Sequence, residues 1–469
     1  MPTLIHFVAR FSAHRSLTMA SLTLAALASA AGVASHVFWF RVGEHHMLAT
    51  TYAQAFIASV VGGTFALVQL ASFSITQAIS TVALTTVAYL AGLYTSLIIY
   101  RLYFAPTARF PGPWQAKLTS LWFTAATPHE DCYYHLERLH NKYGKFVRIG
   151  SNDLSITDPR AVEPSFGNHA VACKGPWYDS SSPFDSMHTT RDKGLHDRRR
   201  RVWAPGFSDK ALREYEEKVQ VFNDKLVQRV KEHQGGKINW TRWANLYSFD
   251  VMGQLSFGKD YGMLDSGERH WALDLLTEGM STAPPKPPIW MFRLLIAIPG
   301  LAGGFFKFPK FCSDELKWRV DRTGADKDIT GWLLKAYKDW VHPETDPMFQ
   351  ADVRLIIVAG SDTTSATLTY LFYELAKRPE EVKKLREELR PLTNGEWSDK
   401  DIKNAPRLMG AINEALRMHP PVPSGLERQT PPEGMTIGET FIPGGVNYWV
   451  PMYPMSRGKL SPLNRCSRC

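Results

Sequence analysis

The chain has 469 residues, a formal net charge of +9 and 44% hydrophobic residues. The modest positive balance suits an anionic lipid surface or an acidic protein partner, and it excludes a nucleic-acid binder, whose basic face would be concentrated; only the short run Arg198 to Arg201 offers that. Five scattered cysteines (Cys132, Cys173, Cys312, Cys466 and Cys469) exclude a disulfide framework and point to a reducing compartment. The lone CxxC ending at Cys469 has no second pair, so no metal site is read there.

Residues 17–40 are apolar and uncharged, with Arg10 and Arg15 before them and Arg41 after. From His45 to Tyr100 there is no Asp, Glu, Lys or Arg. That stretch is long enough for two spans of about 20 residues each, read at 53–71 and 78–100. Residues 1–109 are therefore a membrane anchor of one to three transmembrane helices. Arg10 and Arg15 compete with Arg101 and Arg109 for the cytosolic side; three spans would leave the N-terminus lumenal and the following domain cytosolic. Phe110-Pro111-Gly112-Pro113-Trp114 forms a stiff bend into a main domain at 110–456.

In that domain His135 to Lys142 reads as a helix capped by Gly144, followed by two short strands, Phe146 to Ile149 and Leu154 to Ile156. His196 and Arg200 lie four apart on one helical face, a spacing that can clamp a carboxylate. The other arginines of the run read as a solvated face. Leu212 to His233 and Trp243 to Phe257 read as amphipathic helices. Ser281 to Pro288 is proline-rich. The apolar run 288–308 that follows is either a pair of core helices or a surface dipping into the membrane. Asp326 to Trp340 reads as a further helix.

Asp352 to Arg378 reads as one long central helix, stopped by Pro379. Its middle, Ala359-Gly360-Ser361-Asp362-Thr363-Thr364, is made of poor helix formers. Small residues there let something flat lie against the backbone, and an acid beside an alcohol suggests a proton relay in a dry pocket. The plainer alternative is a solvent-facing kink, because Ser and Thr bend helices without any function. The next helix opens at Pro379, with Val382, Leu385 and Leu389 as a buried stripe. Asn404 to Met418 forms another, with Glu414 and Arg417 at i, i+3. Ile437 to Phe441 and Val446 to Val450 read as strands joined at Pro443-Gly444-Gly445.

Together the AGSDTT hexapeptide, the HxxxR spacing with its trailing Pro205-Gly206-Phe207, the proline-rich bend and the ExxR helix resemble the membrane-bound cytochrome P450s of fungal secondary metabolism. The resemblance implies a mainly α fold with small β-sheets, preceded by transmembrane helices. It implies haem as cofactor, NADPH–cytochrome P450 reductase and a lipophilic small molecule as partners, and an endoplasmic-reticulum location with the main domain facing the cytosol. The implied activity is haem-thiolate monooxygenation, hydroxylating a terpenoid or indole-alkaloid-like secondary metabolite. On that match Asp362 and Thr363 form the proton-delivering pair, and Ala359 and Gly360 leave room over the haem. His196 and Arg200 bind one propionate and Arg428 the other. Glu414 and Arg417 form the structural ExxR pair, and Ser186 to Arg191 is the first substrate-contacting loop. One part of the pattern is missing. The family's Phe-led glycine- and arginine-containing loop with its axial cysteine is not found, residues 457–469 diverge, and Cys466 and Cys469 lack the surrounding motif. The expectation is a P450 fold lacking its C-terminal part: a misread gene end, or a degenerate copy that binds no haem.

Overall fold

The computed structural model describes residues 21–127, 131–275, 287–298, 300, 307–322, 327–395 and 397–458. Arg10, Arg15, residues 281–286 of the proline-rich stretch, and Cys466 and Cys469 lie outside them.

Three helices, Ser21–Phe40, His46–Leu70 and Ile75–Phe104, are long and apolar enough to cross a membrane. The third opens with a capping box, Ser74 and Gln77 satisfying each other's backbone N–H groups. The first and third helices touch at glycines. A Cβ on Gly32 would lie 2.1 Å from the Tyr89 carbonyl oxygen, and one on Gly92 2.1 Å from that of Ser29. Small residues let apolar helices approach this closely in lipid, where burial itself gives no drive to associate. The hydrogen bond between His36 Nδ1 and Ser96 Oγ, 2.8 Å, joins the same pair.

The main domain is mostly helical around one small mixed sheet. Its strands are β1 (Phe146–Arg148), β2 (Asp153–Ile156), β3 (Cys173–Lys174), β4 (Glu427–Gln429) and, completing it, β7 (Asn447–Trp449); β5 (Met435–Ile437) and β6 (Thr440–Ile442) form a separate hairpin. The order is β1-β2-β7-β4-β3, with only β2 and β7 parallel. Two expectations are corrected here. Ile437 to Phe441 is not one strand, because Gly438 (φ +60°) turns the chain within it. The strand after Gly445 does not pair with β6 but sits between β2 and β4 at the middle of the larger sheet.

The helical core forms where Trp240–Phe257 and Lys307–Asp321 meet the central helix, Pro347–Ala376, with Asp209–Glu232 packed on Trp240–Phe257. Phe222, Leu246, Phe249, Phe257, Phe311, Phe349, Ile356 and Ile357 are buried together there. The central helix begins five residues earlier than the sequence suggested. Pro347 takes the first helical position, and the Asp346 side chain accepts the Met348 N–H at 2.8 Å. The segment expected as Asp326 to Trp340 is only a short helix, Ile329–Leu334, and a 3-10 turn through Tyr337. Asp328 starts it by accepting the Gly331 N–H. The apolar run at 288–308 divides between its two readings. Ile289–Ile296 lies against the second membrane helix, whereas Phe308, at its far end, joins Phe311 and Cys312 in the core. Val382, Leu385 and Leu389 do face inward on Pro379–Leu389, but that helix has no buried residue and the stripe is only half covered.

Candidate functional site

The central helix runs unbroken through its polar middle. The hydroxyls that made the segment look like a helix breaker are each turned back onto the preceding turn. Ser361 donates to the Ile357 carbonyl (2.7 Å), Thr363 to that of Ala359 (2.7 Å) and Thr367 to that of Thr363 (2.8 Å). This back-bonding satisfies each hydroxyl without interrupting the helix.

The hexapeptide divides between two faces. Gly360 turns toward Trp240–Phe257, where a Cβ would stand 2.4 Å from Met252 Sδ. Its small size lets these two helices close on each other. Ser365, one turn on, donates to Asn245 on the same neighbouring helix, and Trp240 Nε1 donates to the Leu368 carbonyl at 3.2 Å. Ala359 is exposed and Thr363 half-buried. With Asp352 they form one stripe, at i, i+7 and i+11. Asp362 is half-buried and takes no hydrogen bond from any described residue. Burial raises its pKa, and Arg269 only partly opposes this. Asp362 and Thr363 do not touch, since neighbours in a helix point about 100° apart.

Lys193–Trp203 carries the arginine run and is capped by Asp192, which accepts the Leu195 N–H at 2.7 Å. His196 bonds to Asp197 (2.9 Å), and the Arg200 side chain is exposed with no bond to a described residue. The arginine that turns inward is Arg199. Its Nε donates to Asp352 Oδ2 at 2.9 Å, Nη2 reaches the same oxygen, and Nη1 donates to the Tyr337 hydroxyl at 2.7 Å. Trp203 Nε1 (3.0 Å) and the Met187 N–H (2.7 Å) complete the Asp352 carboxylate. The pair is buried with both carboxylate oxygens hydrogen-bonded, three bonds to Oδ2 and one to Oδ1, the kind of satisfaction under which a buried ion pair is tolerated. Sequence reasoning passed over it, because four consecutive arginines give no sign of which one meets a partner 153 positions away.

A second basic cluster lies beside it. Arg428, on β4, donates to the Ser165 carbonyl and the Tyr178 hydroxyl, both at 3.0 Å, and its guanidinium sits over Phe166. Lys174, on the neighbouring β3, donates to the carbonyls of Met187 (3.0 Å) and Thr190 (3.1 Å). His188 packs edge-on against Tyr178. Among the described residues no carboxylate pairs with Lys174, Arg428 or His188. Burial, then Arg428, pulls the Lys174 ammonium down to about 8; burial, then Lys174 and Arg428, pulls His188 down to about 4. The cluster is cationic, crowded and short of an anion. It is tied to the central helix, because Met187, whose carbonyl Lys174 holds, donates its own N–H to Asp352. Lys174 and His188 carried no signal in the sequence.

Glu414 and Arg417 meet as expected on Pro406–Met418, with two hydrogen bonds of 2.7 and 2.6 Å. Arg417 also donates to the Ser456 carbonyl (2.8 Å), and the Glu414 side chain is 54% exposed.

Haem would bring two propionates and an iron that takes an axial ligand. The Lys174–Arg428 cluster fits the propionates, since its half-buried cations have no hydrogen-bonded carboxylate among the described residues, only Asp185 acting on Lys174 from a distance. The described residues offer no axial thiolate. Cys132 is buried against Ser424, the Cys312 thiol is pushed up to about 12 by burial, and Cys173 lies exposed on β3.

The family model described as cytochrome P450 matches residues 109–459. A cytochrome P450 monooxygenase of Aspergillus versicolor, notG', is 38% identical over 445 residues, which is 93% of this chain and 82% of that protein. Tryprostatin B 6-hydroxylases of Neosartorya fischeri and Aspergillus fumigatus are each 38% identical, over 92% and 94% of this chain and 81% and 80% of their own lengths. A match along the whole main domain, over the arginine helix, the polar central helix and the ExxR pair, makes this chain a member of the cytochrome P450 family.

Proposed function

We propose that the chain is a membrane-anchored monooxygenase that hydroxylates a lipophilic secondary metabolite of the terpenoid or indole-alkaloid type. The observation that carries this is the anion-short cluster of Lys174 and Arg428, bonded through Met187 to the helix that bears Ala359, Asp362 and Thr363. It is supported by relatives that include a tryprostatin B 6-hydroxylase at 38% identity over nearly the whole chain. When bound, haem supplies the electron-rich iron at which dioxygen is activated. The protein's share is binding and proton handling. Arg428 and Lys174, with His196 and Arg200 from the arginine helix, take the two propionates. Asp362 holds its proton to a higher pH than an ordinary aspartate. Thr363, its own proton committed to the Ala359 carbonyl, offers lone pairs on the exposed stripe. Ala359 keeps that stripe shallow enough for a flat ring. Glu414 and Arg417 hold the chain near Ser456.

The same reading places the chain in the endoplasmic-reticulum membrane with the main domain in the cytosol, where NADPH–cytochrome P450 reductase docks on the exposed arginines of Lys193–Trp203. Glu44, between the first two spans, is ion-paired with Arg191 of the main domain, which favours one side of the membrane for both. An odd number of spans then puts Ser21 on the far side.

A second reading, a catalytically inactive remnant without haem, is favoured by the cysteines: of the three described ones, Cys132 and Cys312 are buried and Cys173 lies exposed on β3. One measurement separates the two. Membranes containing the chain are reduced and exposed to carbon monoxide. A thiolate–haem band supports the monooxygenase, and its absence from this chain and from one extended by the genomic continuation refutes it.

A further inference from the structure

Glu44 is the first carboxylate of the chain, and the next is Glu130. It lies in the short loop between the first and second membrane helices, and it does not face water alone. Arg191 donates to it through both terminal nitrogens, Nη1 to Oε2 at 2.6 Å and Nη2 to Oε1 at 2.8 Å. Gln429 of β4 adds a third bond at 3.1 Å. The contact holds the Glu44 pKa below the ordinary carboxylate range, the Arg191 hydrogen bond being the largest cause. Arg191 Nη1 also donates to Asp179 (2.6 Å), which accepts from His46 Nε2 at 2.7 Å. The Glu44, His46 and Asp179 oxygens and nitrogen lie close enough to chelate a cation, but the guanidinium already supplies the positive charge shared by both carboxylates.

Arg191 ends the loop that begins at Ser186. The other end of that loop is fixed by the Met187 N–H to Asp352 of the central helix. A second tie from the membrane side reaches just upstream. Arg293, on the helix that packs against the second membrane span, donates to the Ser182 carbonyl at 2.8 Å. The segment 182–191 is therefore strung between the central helix and the anchor. A cavity of about 460 Å³ elsewhere, lined by Phe110 and Phe441, touches none of these residues.

We propose that Glu44 is a positioning residue: the loop between the first two membrane helices latches onto Arg191 and so sets the conformation of the substrate-facing loop Ser186 to Arg191. The membrane anchor is then part of the substrate site rather than a tether. This rests on the reading of that loop as a wall of the substrate pocket. The latch is a partly exposed charge pair, with Arg191 and Glu44 side chains 22% and 39% exposed, so its loss is expected to change local opening by about five-fold rather than a hundred-fold.

The test is hydrogen exchange on the full chain in lipid nanodiscs. In Glu44→Ala the amides of 184–191 are expected to exchange about five-fold faster, with amides of the central helix unchanged; Glu44→Asp, which keeps the charge, recovers part of the protection. Unchanged exchange at 184–191 in Glu44→Ala overturns the latch. Indole, added as a probe to the unmutated chain, is expected to slow the same amides. Loosening by Glu44→Ala without slowing by indole leaves the latch standing and overturns the substrate-loop reading beneath it.

Discussion

Lys174 offers a direct measure of the site's unmet charge. Burial and the neighbouring Arg428 guanidinium lower its ammonium from 10.5 to about 8. At about 1.36 kcal/mol per unit this corresponds to roughly 3.4 kcal/mol, which we halve to about 1.7 kcal/mol because the side chain is not wholly removed from water. The sign follows from proton counts. Between pH 8 and 10.5 the unfolded chain keeps the Lys174 proton and the folded chain has lost it, so stability from this group rises with pH across that window. Other titrating groups are common to the unmutated protein and to Lys174→Met, and they cancel when the two are compared. For the main domain, an unfolding entropy of about 2.1 cal/mol/K per residue converts 1.7 kcal/mol into a Tm difference of about 2 °C. Thermal unfolding in detergent, followed by tryptophan fluorescence at pH 7.5 and 10, should show the unmutated protein gaining about 2 °C relative to Lys174→Met. Protoporphyrin IX, a metal-free porphyrin dicarboxylate, should remove the gain, because a carboxylate beside Lys174 restores its pKa. Parallel pH curves for the two proteins without porphyrin would refute the cationic-cradle argument, whatever the chain's activity.

Two other residues give sharper structural tests. Gly360→Ala places a Cβ against the Met252 side chain and is expected to lower stability by about 1 kcal/mol net, overpacking outweighing the better helix propensity; in a Met252→Ala background the same change should stabilise by up to about 1 kcal/mol. Destabilisation in both backgrounds, measured by denaturant unfolding, would show that Gly360 serves something other than helix packing. Asp362→Asn should raise Tm at neutral pH and not at pH 3. Burial raises the folded carboxyl's pKa, so ionisation is easier in the unfolded chain and stability falls as pH rises through the folded value. Equal effects at both pH values would place Asp362 in bulk solvent.

What could be read from the sequence, and what could not, follows the range of the interaction involved. Helices long and apolar enough to cross a membrane were visible because that is a property of composition alone, although the sequence left their number at one to three where the structure has three such helices among the described residues. The ExxR pair was visible because both partners lie on one turn. The arginine run was visible as a motif, yet its phase was not, because Asp352 and Trp203 decide that Arg199 turns inward while Arg200 stays in water. Gly360 was read as a small residue beside a cofactor, and the approach of Met252 from a separate helix was not legible beside it. Lys174 was beyond local reasoning altogether. It sits on a strand of two residues that exists only because β4 arrives beside it, Arg428 lying 254 positions downstream of Lys174.

Glu44 carries the argument furthest. It is the single carboxylate between Arg41 and Glu130, and the sequence reading passed over it. In an anchor otherwise built to meet lipid, an acid has a use only if something outside the membrane answers it. Arg191 answers it from the main domain, and in doing so it couples the segment Ser186 to Arg191, proposed above as a wall of the pocket, to the loop between the first two apolar helices. If that coupling holds, deleting residues 1–109 to obtain a soluble protein removes a contact of the site itself, and ligand affinity measured on such a domain will describe a looser pocket than the one in the membrane.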